Sequence, residues 1–82
     1  MRARYTDDFR YAYSVAPETI QKIVDKQIHL LLNNFRHPSL QSHLWPPHGP
    51  GRYQARINKQ WRFYYYLDGD IYIIYWLQKH PK

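Results

Sequence analysis

The fold is decided by residues 52–77, which read RYQARINKQWRFYYYLDGDIYIIYWL. Three runs rich in Tyr, Ile, Phe and Trp are separated by two short polar segments, Lys59-Gln60 and Asp68-Gly69. Aromatic and β-branched residues favour strands, and Asp-Gly between apolar runs is a strong hairpin signal. The sequence therefore predicts a three-stranded antiparallel β-meander with tight turns at these two positions.

The alternation of side chains along a strand gives each predicted strand two faces. In the first two runs the odd-numbered positions are apolar, whereas the even-numbered positions include Arg56 and Arg62. A sheet with one apolar face and one Arg/Tyr face needs helices on one side only. The same alternation, continued into the third run, predicts three tyrosines on the face of Arg56, namely Tyr64, Tyr66 and Tyr72.

The residues before the meander predict a short edge strand and two helices. Residues 1–5 form the strand, and Thr6 caps a first helix that ends before Pro17. From Pro17 to about Asn34 apolar residues recur at helical spacing, which predicts a second helix over the sheet. Residues 36–51 contain Pro and Gly and predict irregular structure. The expected fold is one α+β domain over residues 1–82, in the order β-α-α-β-β-β with both helices on one face.

Composition limits the available chemistry. The 82 residues include no Cys, which excludes disulfides, thiolate metal ligands and thiol nucleophiles. The histidines of the irregular segment lack a metal-ligand spacing, so we expect surface histidines, no metal site and no cofactor; they are His37, His43 and His48. No apolar run is long enough to span a bilayer and no signal peptide is recognisable, which predicts a cytoplasmic protein. The net charge of +6 favours an anionic partner, with nucleic acid preferred over a membrane.

Residues 55–63, which read ARINKQWRF, are followed by Asp68-Gly69-Asp70 and by a last strand that precedes His80. This pattern resembles the RelE/ParE superfamily of toxins from toxin–antitoxin systems, and most closely its HigB-like and RelE-like cytotoxin domains. Residues 34–40, which read NFRHPSL, resemble the helix-to-loop exit of the same toxins. The resemblance implies a β-α-α-β-β-β fold, a cognate antitoxin as partner and, in the RelE and HigB branches, cleavage of messenger RNA on the ribosome.

The resemblance also implies candidate site residues. Cleavage through the ribose 2′-OH needs a base, an acid and cations near the phosphate, but no metal. Arg56 and Arg62 match the sheet arginines of the family and His80 matches its late histidine, so these three are the predicted catalytic residues. His80 is preferred over the other histidines because it follows a strand beside the arginine face. Predicted RNA contacts, through phosphates or stacked bases, are Lys59, Lys79, Tyr64, Tyr66 and Tyr72.

The predicted function is that of a type II toxin, a metal-independent and ribosome-dependent endoribonuclease that cleaves messenger RNA and so inhibits translation. Its predicted partners are messenger RNA on the ribosome and an antitoxin that covers the Arg/Tyr face, with no membrane and no small-molecule cofactor. Two alternatives stay open. One is a ParE-like toxin that inhibits DNA gyrase without nuclease activity. The other is a degenerate, non-toxic relative, because residues 43–50, HLWPPHGP, stand where the family usually places a Lys-Leu pair.

Overall fold

A computed structural model describes residues 2–79, which form two helices and one sheet. The elements in chain order are β1 (Arg2–Tyr5), α1 (Asp7–Val15), α2 (Glu18–Asn33), β2 (His43–Leu44), β3 (Tyr53–Arg56), β4 (Trp61–Asp68) and β5 (Ile71–Lys79). The strands lie in the order β1-β5-β4-β3-β2. This α+β architecture, with its helices on one face of the sheet, confirms the fold class predicted from the sequence.

The sheet is mixed, so the prediction of a purely antiparallel sheet is wrong at one edge, that of β1. β1 pairs with β5 in parallel, from Arg2 opposite Ile71 to Tyr5 opposite Ile74, whereas β2 to β5 pair antiparallel. Along the chain, both helices come between β1 and the other strands. A connection of that length permits parallel pairing, whereas a tight turn does not. β2, inside the predicted irregular segment, is a further strand that pairs with β3.

Local signals place the helix ends close to their predicted positions. The Thr6 hydroxyl accepts a hydrogen bond from the Phe9 amide at 3.2 Å, which makes Thr6 the N-cap of α1. α1 ends at Val15, with Ala16 as its C-cap, and Pro17 is the N-cap of α2, so α2 begins one residue later than predicted. No helix within residues 2–79 is long and apolar enough to cross a membrane.

The core lies between the helices and one face of the sheet. Its fully buried side chains include Val24, Leu31, Leu40, Phe63, Tyr65 and Ile74. One buried amide, that of Gln27, ties α2 to the sheet, because its Nε2 donates to the carbonyl oxygen of Arg56 at 2.8 Å and to that of Ser39 at 3.3 Å. A buried polar group that makes both bonds costs little and fixes the position of α2 on the sheet.

Both predicted turns exist, but each is displaced. The chain reverses between β3 and β4 through four residues, 57–60, and Asn58 Oδ1 accepts from the amides of Gln60 and Trp61 at 2.9 Å each. The second turn is Gly69-Asp70, because Asp68 pairs with Ile71. Gly69 has φ +63°, a conformation that glycine adopts at low cost.

A register shift interrupts the last hairpin. Tyr64 pairs with Trp76 and Tyr65 with Ile74, so Tyr75 is an extra residue in β5. Such a bulge changes which face the side chains after it occupy. The predicted placement of Tyr72 beside Arg56 is wrong for a separate reason. Tyr72 precedes the bulge and pairs with Leu67 across the two-residue turn, so it shares the face of Leu67 and Tyr65. Tyr72 is 3% exposed and packs in the core, with its ring edge-on to Tyr65 at 5.4 Å between centroids.

The location of the core is testable with two leucines. Leu31 is 1% exposed, and Leu31→Ala should lower the free energy of unfolding by about 2–5 kcal/mol because it leaves a cavity between α2 and the sheet. Leu67 was predicted on the apolar face but is 45% exposed, so Leu67→Ala should change the same quantity by less than about 0.5 kcal/mol. Urea unfolding measures both values, and equal losses would contradict this core.

A pH dependence follows from Tyr65. Burial raises the pKa of Tyr65 from its ordinary 10.0 to about 12, against a smaller opposing effect of its hydrogen bond with the Ser42 hydroxyl. The folded state therefore holds the phenol proton more tightly than the unfolded chain does, and this stabilisation is intact below pH 10 and is lost as the pH rises towards 12. The free energy of unfolding should fall over that range, and less steeply in Tyr65→Phe. An identical fall in both proteins would contradict the assignment.

Candidate functional site

The face of the sheet opposite the helices carries cations and aromatic rings. Along β3 and β4, Arg56 lies opposite Arg62 and Gln54 opposite Tyr64, all with side chains on this side. We call this surface the open face and define it by Arg52, Gln54, Arg56, Arg62, Tyr64, Tyr66 and Tyr75. Arg2 and Arg4 of β1 pair with Ile71 and Ile73 and extend the positive charge to the far edge.

The loop between β2 and β3 folds over the middle of the open face. The rings of Trp45 and His48 lie against Tyr64, with centroid distances of 6.4 and 4.6 Å, and Tyr64 is only 3% exposed. Gln54 Nε2 also donates to the Tyr64 hydroxyl at 3.2 Å. Tyr64 thus lies on the predicted face, but its covered ring supports the loop and offers no free surface for a base, contrary to the sequence prediction.

His48 is exposed, as predicted for a loop histidine, yet it has specific partners on the open face. Its Nδ1 lies 2.8 Å from the Tyr75 hydroxyl. A tight turn positions the ring, because the His48 amide donates to the Trp45 carbonyl oxygen at 3.1 Å and the Gly49 amide to that of Pro46 at 2.8 Å. The bond to Tyr75 orients the imidazole and leaves Nε2 to give or take a proton, according to the tautomer.

Arg52, which sequence reasoning missed, lies next to this pair. Its guanidinium carbon is 4.0 Å from the ring centroid of Tyr66 and 5.3 Å from that of Tyr75, a cation–π geometry. Burial raises the pKa of Tyr75, an effect that the charge of Arg52 opposes and that Tyr64 reinforces. The Tyr75 hydroxyl is therefore protonated at neutral pH and can donate to His48.

These side chains line an open depression of about 520 Å³, together with residues from α1 and β5. Its lining is Thr6, Asp8, His48, Arg52, Tyr66, Tyr75 and Trp76. The Thr6 hydroxyl donates to the carbonyl oxygen of Tyr75 at 3.2 Å and so fixes the start of α1 beside the bulge. The volume lies within the roughly 300–1,000 Å³ typical of small-ligand sites. A guanidinium, an imidazole and several rings suit a ligand that carries both phosphate and an aromatic base.

The predicted arginines lie at the other end of the open face. Arg62 Nη1 donates to the carbonyl oxygens of Asn58 at 2.6 Å and Trp61 at 2.9 Å, so Arg62 stabilises the loop of residues 57–60. Lys59 is exposed in that loop. Three residues of β4 lie between Arg62 and Tyr66, so these two are four residue steps apart, about 13 Å at strand spacing. The structure thus brings Arg56, Arg62 and Lys59 together but keeps them apart from Arg52 and His48.

Two further residues were predicted for the site, Lys79 and His80. Lys79 pairs with Trp61, whose side chain packs against the core, so Lys79 projects from the helical side of the sheet. His80 lies outside the described residues. Within residues 2–79 no three His, Asp or Glu side chains are grouped to hold a metal ion.

Strand alternation could have identified Arg52 from the sequence. Arg52 is two residues before Gln54 and four before Arg56, so it is expected on the same face of the strand. No pattern in the sequence links His48 to Tyr75.

No family model and no curated protein matches this chain. Solved structures do resemble it. YafQ from Escherichia coli strain BL21(DE3) has a TM-score of 0.79 at 17% identity, and the match covers 96% of this chain and 93% of YafQ. The YoeB/ParE toxin from Agrobacterium tumefaciens has a TM-score of 0.83 at 14% identity, with coverage of 99% and 100%. A chain of the RelB–RelE antitoxin–toxin complex from Methanococcus jannaschii has a TM-score of 0.74 at 16% identity, with coverage of 92% and 87%.

Matches at these identities establish a shared fold and leave activity to be argued from the site itself. They extend over nearly the whole of each chain, so the likeness includes the helices, the sheet and its edge strands. Apart from the additional strand β2, the order of elements agrees with the one that the sequence resemblance implied. This chain has the fold of the toxins of the RelE/ParE superfamily.

Proposed function

We propose that this protein is the toxin of a type II toxin–antitoxin module and that it cleaves messenger RNA on the ribosome. The observation that carries the proposal is the grouping of Arg52, His48 and Tyr75 on an exposed face of a chain of net charge +6. The toxin fold shared with YafQ, YoeB and RelE supports the role in general terms. The nearer likeness to HigB-like domains stays a prediction.

The reaction is transfer of a phosphoryl group within the RNA strand. The ribose 2′-OH loses its proton and its oxygen bonds to the adjacent phosphorus, while the bond from phosphorus to the 5′-oxygen of the next nucleotide breaks. That oxygen takes up a proton, which leaves a 2′,3′-cyclic phosphate and a 5′-OH. This cleavage needs a proton acceptor for the 2′-OH, a proton donor for the 5′-oxygen, and cations that stabilise the negative charge that grows on the phosphate oxygens.

The depression contains a candidate for each of these roles. His48 is the candidate for proton transfer, because an imidazole nitrogen can give or take a proton and Tyr75 holds the ring in place. Arg52 is the candidate phosphate ligand, since a guanidinium matches two phosphate oxygens. Tyr66 offers a half-exposed ring to a base. Arg56, Lys59 and Arg62 remain candidates for contacts with neighbouring phosphates, and His80 remains the candidate that the sequence resemblance suggests for proton transfer.

The proposed partner in the cell is a cognate antitoxin. YafQ has been solved with DinJ, and YoeB from Staphylococcus aureus with YefM. We propose that an acidic or amphipathic segment of the antitoxin covers the open face of this chain and excludes RNA from it. Opposite charge would speed the encounter of the two proteins.

The role of His48 predicts a large effect on rate. His48→Gln should lower cleavage of ribosome-bound messenger RNA by about 10²–10⁴-fold, because proton transfer by a positioned side chain is usually worth that much. His29→Gln is the control, since His29 is exposed on α2, on the other side of the sheet. The cleavage rate is measured by mapping new 5′ ends over time.

His80→Gln, measured in parallel, separates the two candidates. A wild-type rate for His48→Gln together with a slow His80→Gln would assign proton transfer to His80. A wild-type protein that cleaves no message would refute the nuclease proposal and leave the gyrase-directed and inactive alternatives.

The phosphate contacts predict a dependence on salt. The affinity for single-stranded RNA should fall as salt rises, by roughly 0.7 log units per tenfold salt for each phosphate neutralised. Arg52→Gln should therefore make the slope shallower by about 0.7. Lys26→Gln removes the same charge from the exposed surface of α2 and should leave the slope unchanged. Fluorescence anisotropy across a KCl series measures both, and an unchanged slope in Arg52→Gln would contradict the phosphate contact.

A further inference from the structure

Asp8 is the acidic residue among the side chains that line the depression, where it accompanies Arg52 and His48. A carboxylate repels phosphate, so Asp8 opposes the backbone binding that Arg52 favours. Its presence in a surface suited to RNA therefore needs another explanation. Groups that a carboxylate does attract are N–H donors, and in RNA these lie on the edges of the bases.

The helix dipole explains an acidic residue here only in part. Asp7 and Asp8 both lie in the first turn of α1, both are exposed, and negative charge at this end stabilises the helix. Asp8 lines the depression and Asp7 does not. The two residues thus share one structural role, and Asp8 alone has access to a ligand bound between the rings.

Three other polar groups of the depression, on Thr6, Tyr75 and Trp76, already have partners. Trp76 Nε1 donates to Gln78 Oε1 at 3.1 Å, and the Tyr75 hydroxyl bonds to His48. The Thr6 hydroxyl donates to the carbonyl oxygen of Tyr75 and accepts from the amide of Phe9. These bonds leave Trp76 and Tyr66 to contribute their rings. The Asp8 carboxylate supplies two adjacent hydrogen-bond acceptors for a ligand.

Guanine fits this arrangement better than the other bases. Its Watson–Crick edge carries two adjacent donors, the N1–H and the N2 amino group, which match the two oxygens of one carboxylate. Adenine and cytosine present a single amino group beside a ring acceptor, which a carboxylate repels. We propose that the depression binds one unstacked guanine of the RNA, with the base against the rings and its N1–H and N2 amino group donating to Asp8. This inference rests on the proposed function, since RNA must be the ligand of the open face.

Asp8 would then determine sequence preference, while Arg52 holds the backbone. A base that lacks the paired donors would leave the carboxylate without partners on binding, and the lost hydrogen bonds would weaken the complex. The preference arises from a residue of α1, an element that Thr6 joins to the bulge of β5.

The experiment uses the full chain and short oligouridines with one central guanosine, inosine or adenosine. All riboses carry 2′-O-methyl groups, which block cleavage, so that anisotropy reports binding alone. The wild type should bind the guanosine oligomer about 5- to 150-fold more tightly than the adenosine oligomer, the range for one good bidentate contact. Inosine, which lacks the N2 amino group, should fall between them.

The matched variants are Asp8→Asn and Asp7→Asn, each checked for a native near-ultraviolet circular dichroism spectrum. Asp8→Asn should lose the preference for guanosine over adenosine, and Asp7→Asn should keep it. A folded Asp8→Asn that keeps the preference, or a wild type without one, overturns the guanine site. If the wild type still cleaves message in that case, the proposed function stands without it. If no oligomer binds while the protein is folded, the guanine site is refuted, and the cleavage of ribosome-bound message decides the proposed function separately.

Discussion

The pairing of β4 with β5 across the extra residue Tyr75 is the constraint on which the rest of the structure depends. β5 lies between β4 and β1, so its geometry sets both neighbours. Before the bulge, Tyr72 and Ile74 face the helices, and after it Leu77 does. Without the shift in register, strict alternation would turn either Tyr72 and Ile74 or Leu77 away from the helices. A chain of 82 residues has few apolar side chains to lose from its core.

The same bulge builds the depression on the other side of the sheet. Tyr75 projects there beside Arg52 and bonds to His48, and its carbonyl oxygen accepts from the Thr6 hydroxyl. Bulges commonly re-aim side chains next to active sites. One irregularity of the backbone thus connects the hydrophobic packing of the core to the arrangement of the candidate catalytic groups, and it joins α1 to both.

The open face is divided into two groups of cations by the covered ring of Tyr64. At one end Arg62, which lies opposite Arg56, donates two hydrogen bonds to carbonyl oxygens in and beside the loop of residues 57–60. At the other end Arg52 lies over aromatic rings, whose faces stabilise its charge without using its N–H donors. Arg52 therefore keeps its hydrogen-bonding capacity for a phosphate. The Pro-rich loop, which departs from the family pattern, contributes both the cover over Tyr64 and the imidazole of His48.

The amino-acid sequence by itself determined the features that depend on near neighbours. Apolar spacing and the Thr6 cap predicted both helices, and strand alternation placed Arg56, Arg62 and Tyr66 on the face away from them. The parallel pairing of β1, the bulge at Tyr75 and the bond between His48 and Tyr75, 27 residues apart, were decided by tertiary structure. The physical reason is that alternation predicts faces only while the register is unbroken. A single inserted residue reverses every later assignment, and its position depends on packing between distant segments, which no local pattern records.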